Sequence, residues 1–416
     1  MGLRTRLDWL WPAAPERVEA KASIAPGGAG WLQMLLGYGS SKAGQDITIQ
    51  TAMECTAWLC GARVISEGLA QVPCRLTQHL KDGSRRLAKE HPLYEILYRK
   101  PNFWQTSFEF REQIALHLIF TNNAYVLVTR NDKGEVLELL PFEPGTVSVT
   151  HNSDMTISYR VSLVDGRSIA VPMSDMWHIR GPSWNGWLGL NAVHLARNAL
   201  GLSIAAEEFG SELFANGARP SGLLVNESSE DLSVDQVTQL REQFESLHTG
   251  RGQRMRTAVL SGVKWEPISA TADEAQFIEL RKFQITEVAR SLRLNPIMLM
   301  HQDGTTAYAS VEQMFLAHDT HSMGPWYERI EQSAECNLLT PAERRDGYEI
   351  ELVSTGLVRG TSKERAETNQ ILAQNGVISI NEWRDEDDYG RLSGAQYDRP
   401  RRAANLYGPD PTEEPS

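Results

Sequence analysis

Asp175, His178 and Ser183 lie close together in the chain, and an acid, an imidazole and a hydroxyl are the groups of a hydrolytic triad. The serine sits in Gly181-Pro182-Ser183-Trp184-Asn185. A nucleophile elbow needs a glycine two places after the serine and a freely bending strand-to-helix turn; here Asn185 takes the glycine's place and Pro182 stiffens the turn. Three such residues on one strand and its turn also point to different faces. A serine hydrolase around Ser183 therefore stands only as an alternative reading. His318 and His321 are three apart in a helical stretch, where both imidazoles could reach one metal ion, but the spacing suggests no third ligand and no metal site is assigned. The chain contains neither the GxxxxGK loop ending in Ser or Thr nor the GxGxxG turn, the two common cradles for nucleotide phosphate. The run Arg251-Gly252-Gln253-Arg254-Met255-Arg256 could meet a phosphate or an acidic partner, or simply form a solvated turn, and Asp385-Glu386-Asp387-Asp388 reads as a solvated face. No catalytic residue and no cofactor is assigned.

The elements that would position these groups start from a chain of 416 residues, 41% hydrophobic, which can bury a sizeable core and by its length predicts two or three domains. A formal net charge of −12 excludes the class of proteins that hold nucleic acid by neutralising its phosphates, so any contact with DNA has to be loose. Cys55, Cys60, Cys74 and Cys336 form no CxxC pair and are too sparse for a disulfide framework, which predicts a reducing compartment. Asp8 interrupts the apolar stretch after Arg4 and Arg6 before a signal core develops, and nothing later approaches the roughly 18 apolar residues of a membrane span. These features predict a soluble, intracellular chain.

Residues 1–45, rich in Ala, Gly, Pro and Ser, read as a flexible arm. Apolar residues at helical spacing predict a helix over 52–70, closed by Pro73. Short strands follow, with turns at Lys81-Asp82-Gly83, Asn131 to Gly134 and Asp165-Gly166, around a helix that Thr106 and Glu109 would cap. This α+β block closes with a strand over 175–180. A long helix over 190–214 then meets Phe214-Ala215-Asn216-Gly217-Ala218-Arg219-Pro220-Ser221, where Asn216 and Gly217 suit a left-handed cap and Pro220 keeps the helix from resuming. The stretch is a stop signal rather than a phosphate grip. Beyond it come a strand, helix and strand module over 221–267 and a second long helix from the capping pattern at Thr271 to about Arg293. Asn295-Pro296 opens a loop that runs to Thr306. A third long helix over 307–339 should kink at Pro325, and a strand at 348–353 leads into charged helical sequence.

The order of several short motifs carries more information than any one of them. His91-Pro92-Leu93-Tyr94 with Pro101-Asn102 comes first, then Gly134 to Pro141, then His178-Ile179-Arg180 with Gly186 to Gly189. Phe214 to Pro220 follows, then Gln276-Phe277-Ile278-Glu279 with Arg281 and Lys282, and finally Gly376 to Arg384 with Asn381-Glu382. This succession, from about residue 50 to 390, resembles the portal proteins of tailed bacteriophages of the Hong Kong 97 type. It departs at Leu294-Asn295-Pro296, where members often carry Val-Pro-Pro.

The resemblance implies an α+β portal fold: a flexible arm (1–45), an α/β wing (46–189), a first stem helix (190–217) and a small α/β clip (218–270). A second stem helix (271–294), a tunnel loop (295–306), a long kinked helix returning to the wing (307–359), a helical crown (360–400) and a flexible tail (401–416) complete it. It implies a non-enzymatic dodecameric ring at one capsid vertex, the conduit for DNA packaging and ejection, found in the virion and in the host cytoplasm during assembly. The implied partners are other copies of the chain, the terminase large subunit, the major capsid protein, the head-tail adaptor and, transiently and without sequence preference, double-stranded DNA; no membrane is involved. Met298, Met300, His301, Gln302 and Asp303 would face the DNA, and Arg219, Arg251, Arg254 and Arg256 would meet terminase and adaptor at the clip. A non-viral ring scaffold of the same fold is the other alternative.

Overall fold

The computed structural model describes residues 40–81, 83, 85–215, 222–226, 238–239, 263–267, 271–301, 308–354, 362–386 and 389–401. The chain divides after Leu352 into two compact units. The larger begins with α1 (Ile49–Glu54) and α2 (Thr56–Ala70). The helix expected over 52–70 is thus broken at Cys55, whose extended backbone (φ −70°, ψ 106°) starts a new helix, while Thr48 and Thr51 form a reciprocal capping box on α1. The short strands β1 (Cys74–His79) and β2 (Arg85–Leu87) and the helices α3 (Pro92–Tyr98) and α4 (Ser107–Thr121) follow. Thr106 and Glu109 cap α4 as its sequence predicts.

Next come β3 (Asn123–Arg130), β4 (Val136–Phe142), β5 (Val147–His151), β6 (Ile157–Ser162), β7 (Ser168–Val171) and β8 (Met176–Arg180). Gly83, Gly134 and Gly166, the glycines of the three expected turns, all have φ near +80°, a region other residues reach only at a cost. The strands form two antiparallel sheets, β4-β3-β8 and β5-β6-β7. Alternation explains why β3 is buried along most of its length. Ala124, Val126 and Val128 face the main core with α2 and α4, whereas Tyr125 and Leu127 face a smaller core with Tyr159, Val161, Val171 and Met176.

The helix expected over 190–214 divides at Ala196 into α5 (Ala192–Leu195) and α6 (Arg197–Ala215). The pair β9 (Gly222–Asn226) and β10 (Val263–Pro267) is antiparallel, with Gly222 opposite Pro267, and leads into α7 (Thr271–Ser291). Of the segment read as a flexible arm, the part within the described residues is ordered: Ser40 and Asp46 form a bridge, and Ser41 fills the space over Gly201 of α6 that a Cβ there would need.

The third long helix departs most from expectation. It comprises α8 (Tyr308–Ala317), a π-helix (His318–Met323) and α9 (Gly324–Leu338), with Pro325 in the first turn of α9. Proline lacks an amide and its ring collides with the carbonyl four residues back, so the register change falls just ahead of it. Then α10 (Pro341–Arg345) leads to β11 (Tyr348–Leu352), the edge strand of the sheet β11-β1-β2. The amides of Ile350 and Leu352 donate to carboxylates of Glu335 and Glu331 on α9, at 3.2 and 2.6 Å, so a helix supplies the acceptors a neighbouring strand would.

The smaller unit contains α11 (Ser362–Gln374) and α12 (Ile380–Glu386). Its buried Asn381 donates to Leu392 O and Asp398 Oδ1 and accepts from the Leu392 amide, and Asp385 pairs with Arg391. No helix among the described residues is long and apolar enough to cross a membrane.

Candidate functional site

The hydrolytic alternative fails on geometry. The Ser183 hydroxyl accepts from the Gly186 amide at 2.9 Å and donates to Leu188 O at 2.5 Å, closing its own loop. His178 is buried on β8 with both nitrogens engaged elsewhere. Asn123 Oδ1 can only accept, so His178 Nε2 donates to it at 3.0 Å and Nδ1 is left to accept from the Tyr159 hydroxyl at 3.3 Å. Asn123 also accepts from the Gly189 amide and donates to Thr121 O and Gly189 O. The group is a satisfied polar joint between the two sheets and the 182–190 loop, with its imidazole stacked on Tyr125. Its close packing predicts a sensitive position. A Cβ on Gly189 would stand 2.0 Å from the backbone oxygen of Asn122, so Gly189→Ala should cost about 3 kcal/mol or more, read as a lowered urea midpoint.

Burial lowers the His178 pKa to about 3, helped by Arg180, and burial lowers His117 to about 4. Both histidines are therefore neutral when folded and take up protons near pH 6.5 when unfolded. The unfolded state binds more protons below that point, so stability should decline as the pH falls from 6.5 toward 4, by up to about 1.4 kcal/mol per pH unit for each histidine. Urea titrations at pH 7, 6 and 5 check this, and a midpoint that stays flat over the range contradicts it.

Among the described residues no group of three or more His, Cys, Asp or Glu is placed to hold a metal ion. His318 and His321 both fall within the π-helix, where the wider turn moves positions three apart off a common face.

The expected channel and clip residues fare unequally. Arg219, Arg251, Arg254 and Arg256, the stop residues Asn216, Gly217 and Pro220, and the loop residues Gln302 and Asp303 lie outside the described residues. Around them the frame is clear. Helices α6 and α7 pack together through Phe277, which lies over Gly210 and meets Phe209 edge to face at 5.6 Å, with Arg281 reaching Glu207 at 3.8 Å. Gln284, Val288 and Ala289 bury the same helix further along. Leu280 and Phe283, three apart on another face, remain 38% and 53% exposed.

At the end of α7 the chain folds back sharply. The Arg293 amide bonds to Arg290 O and the Leu294 amide to Ala289 O, the paired closure of a Schellman turn, with Arg293 at φ 57° where glycine is usual. Gly61 on α2 makes room for this hook, since a Cβ there would meet Leu292 and Leu294. Asn295 caps a short 3₁₀ turn (Pro296–Leu299), and Met300 ends it in a second left-handed conformation, also at φ 57°. Two turns in succession separate residues that the sequence groups together. Met298 is 8% exposed and packs in the core, its carbonyl receiving the Cys60 thiol, so it is not presented to solvent by this chain; Met300 is 90% exposed. His301 lies between them in exposure. Ser322 Oγ, which the sequence does not single out, donates to Arg293 O at 2.7 Å and ties the hook to the π-helix.

Among the described residues, several of the motifs that carry the resemblance are structural joints. His91 caps α3 by accepting from the Leu93 amide, and its other nitrogen lies 2.8 Å from Glu343, which caps α10. Burial raises the Glu343 pKa, yet the Thr340 and His91 hydrogen bonds outweigh it and hold the carboxyl below its ordinary value. Asn102 is buried, accepting from the amides of Trp104 and Gln105 and donating to Leu139 O on β4.

With this frame in place the chain compares directly with known proteins. The family model described as phage portal protein matches residues 56–388. The chain belongs to the phage portal protein family. It is 28% identical to the portal protein of Enterobacteria phage HK97 over 361 residues, 86% of this chain and 83% of that one. It is 28% identical to the probable portal protein of Streptomyces phage phiC31 over 379 residues, 88% of this chain and 81% of that one. Among solved structures it is similar to a chain of the neck of a native gene transfer agent particle computed with C12 symmetry, with a TM-score of 0.56 at 19% identity, covering 89% of this chain and 96% of that one. The match to a portal family model accounts for the motif succession, and the hydrolase reading has no support from it.

Proposed function

We propose that this portal chain assembles with copies of itself into a ring at one capsid vertex of a phage or gene transfer particle, through which DNA is packaged and later leaves. The observation that carries the reading is the pair α6 and α7, joined through β9 and β10, which leaves Leu280 and Phe283 exposed on a face turned away from its own core. The C12 symmetry of the neck structure that the chain resembles supports a twelvefold ring. In this reading residues 46–189 are the wing, α6 and α7 the stem, 218–270 the clip, 295–306 the tunnel loop, 307–359 the long helix and its return, and 360–400 the crown. The net charge of −12 per copy suits a conduit, because phosphate contacts that release many counterions would hold the DNA in place.

Of the tunnel-loop candidates among the described residues, Met300 is the one whose exposure best supports contact with DNA, through a flexible and uncharged side chain. Arg219, Arg251, Arg254 and Arg256 are the proposed clip contacts for the terminase large subunit and the head-tail adaptor, and the wing is the proposed seat in the major capsid protein. Hydrolysis of ATP belongs to the packaging motor in this reading, and the portal ring is a structural conduit, assembled in the host cytoplasm and retained in the virion. Negative-stain microscopy with native mass spectrometry of the purified chain tests the assembly: rings of uniform size are expected, and a monomer under every condition would overturn it.

A further inference from the structure

The π-helix His318–Met323 sits between two α-helices, and the Gly324 amide reaches back five residues to Asp319 O. A wide turn of this kind amounts to one residue inserted into an α-helix. Three anchors grip it from different sides. The Tyr327 hydroxyl, from α9, donates across the turn to Asp319 Oδ1 at 3.3 Å. Ser322 Oγ donates to Arg293 O at 2.7 Å, in the left-handed hook that ends α7. Met323 is buried, with its Cε 3.3 Å from where a Cβ on Gly68 of α2 would stand. The turn is at the same time imperfectly satisfied, because His318 Nδ1 is buried without a hydrogen-bond partner.

Pro325 explains why the wide register is tolerated. In an α register its ring would collide with the carbonyl of His321, four residues back, and the wider turn relieves that collision, so the α register loses much of its usual advantage here. Two arrangements of one backbone are then close in free energy, and the side-chain anchors choose between them.

We propose that the π-helix is a register hinge, held in its wide form by Tyr327 and Ser322, whose conversion to α geometry turns α8 by about 100° and moves it about 1.5 Å further from α9. Because α8 follows residues 302–307, the conversion would reset how the loop after Met300 is offered to the DNA; this consequence rests on the ring reading, whereas the hinge itself does not. Tyr327 and Ser322 act here as positioning residues.

Hydrogen exchange followed by mass spectrometry on the full-length protein tests the hinge. Amides 319–324 should exchange about 10-fold or more faster than those of 328–338 in α9. Tyr327→Phe and Ser322→Ala should each speed exchange over 313–324 by about 3-fold or more without altering 328–338. Deletion of the exposed Thr320 combined with Pro325→Ala should give a continuous α-helix and slow 319–324 to within about 3-fold of α9. Uniformly slow exchange in the parent chain, or no response to either substitution, overturns the hinge; if the deletion does not fold, the two substitutions decide. Microscopy of the same samples separates the readings: fast exchange at 319–324 without rings removes the ring alone, and rings with uniform exchange remove the hinge alone.

Discussion

Phe283→Asp combined with Leu280→Asp will leave a folded chain that no longer forms rings. The expectation follows from the two faces of α7. Phe277, Gln284, Val288 and Ala289 turn inward, with Phe277 against Gly210 and Phe209 of α6, whereas Leu280 and Phe283 stand together on an exposed face. In the proposed ring such a face meets the neighbouring copy, as a head-to-tail contact in a closed ring requires. Covering the part the single chain leaves exposed, 38% of Leu280 and 53% of Phe283, contributes about 1 kcal/mol each, and burying two carboxylates without partners adds at least as much again. Each contact thus weakens by about 3 kcal/mol or more, about 100-fold or more. The same substitutions lie on the surface of the single chain, where changes are typically within about 0.5 kcal/mol. Light scattering after size exclusion, together with circular dichroism, separates the two effects: loss of rings with an unchanged melting curve is expected. Intact rings at micromolar concentration would show that this face is not the contact.

How far the sequence discloses such features depends on how local their causes are. The capping box at Thr106 and Glu109 and the turn glycines Gly83, Gly134 and Gly166 lie where local chemistry demands them, because each satisfies backbone groups within a few residues. The family is legible for a related reason. His91 is a half-buried joint and Asn102 and Asn381 are buried ones, and a short polar motif tied to backbone groups leaves a recognisable trace even where most of the surrounding residues differ. The break at Cys55 carries no such signal, since the apolar stripe continues across it. The π-helix is hidden in the same way: a stripe of apolar residues persists through one extra residue, and Pro325 announces a disturbance without specifying its form. The segment after α7 is the least legible part. Met298 and Met300 are two residues apart and chemically identical, yet one packs in the core and the other is nearly free of it. Their separation comes from left-handed turns at Arg293 and Met300, positions where neither residue type advertises that conformation.

Met300→Lys will slow DNA packaging by about 10-fold at low salt, and raising the salt will narrow the difference. The side chain is 90% exposed and its backbone already holds φ 57°, so lysine adds no strain beyond what methionine bears and should leave the fold and the ring intact. What changes is the electrostatics of the loop in the proposed channel. Each ammonium that neutralises a phosphate releases close to one counterion, and a ring of them brings the conduit toward the slope of a DNA-binding protein, whose affinity falls steeply with salt concentration. Contacts that strong must break at every step of translocation. Met300→Gln, polar but uncharged, should package within about 2-fold of the parent, which separates charge from loss of the thioether. Both variants can be compared in a packaging reaction with purified motor and procapsids at about 50 and 300 mM salt, with ring integrity checked by microscopy. A Met300→Lys ring that packages at the parental rate at the lower salt would place the DNA contact elsewhere, most directly on the neighbouring loop residues Gln302 and Asp303.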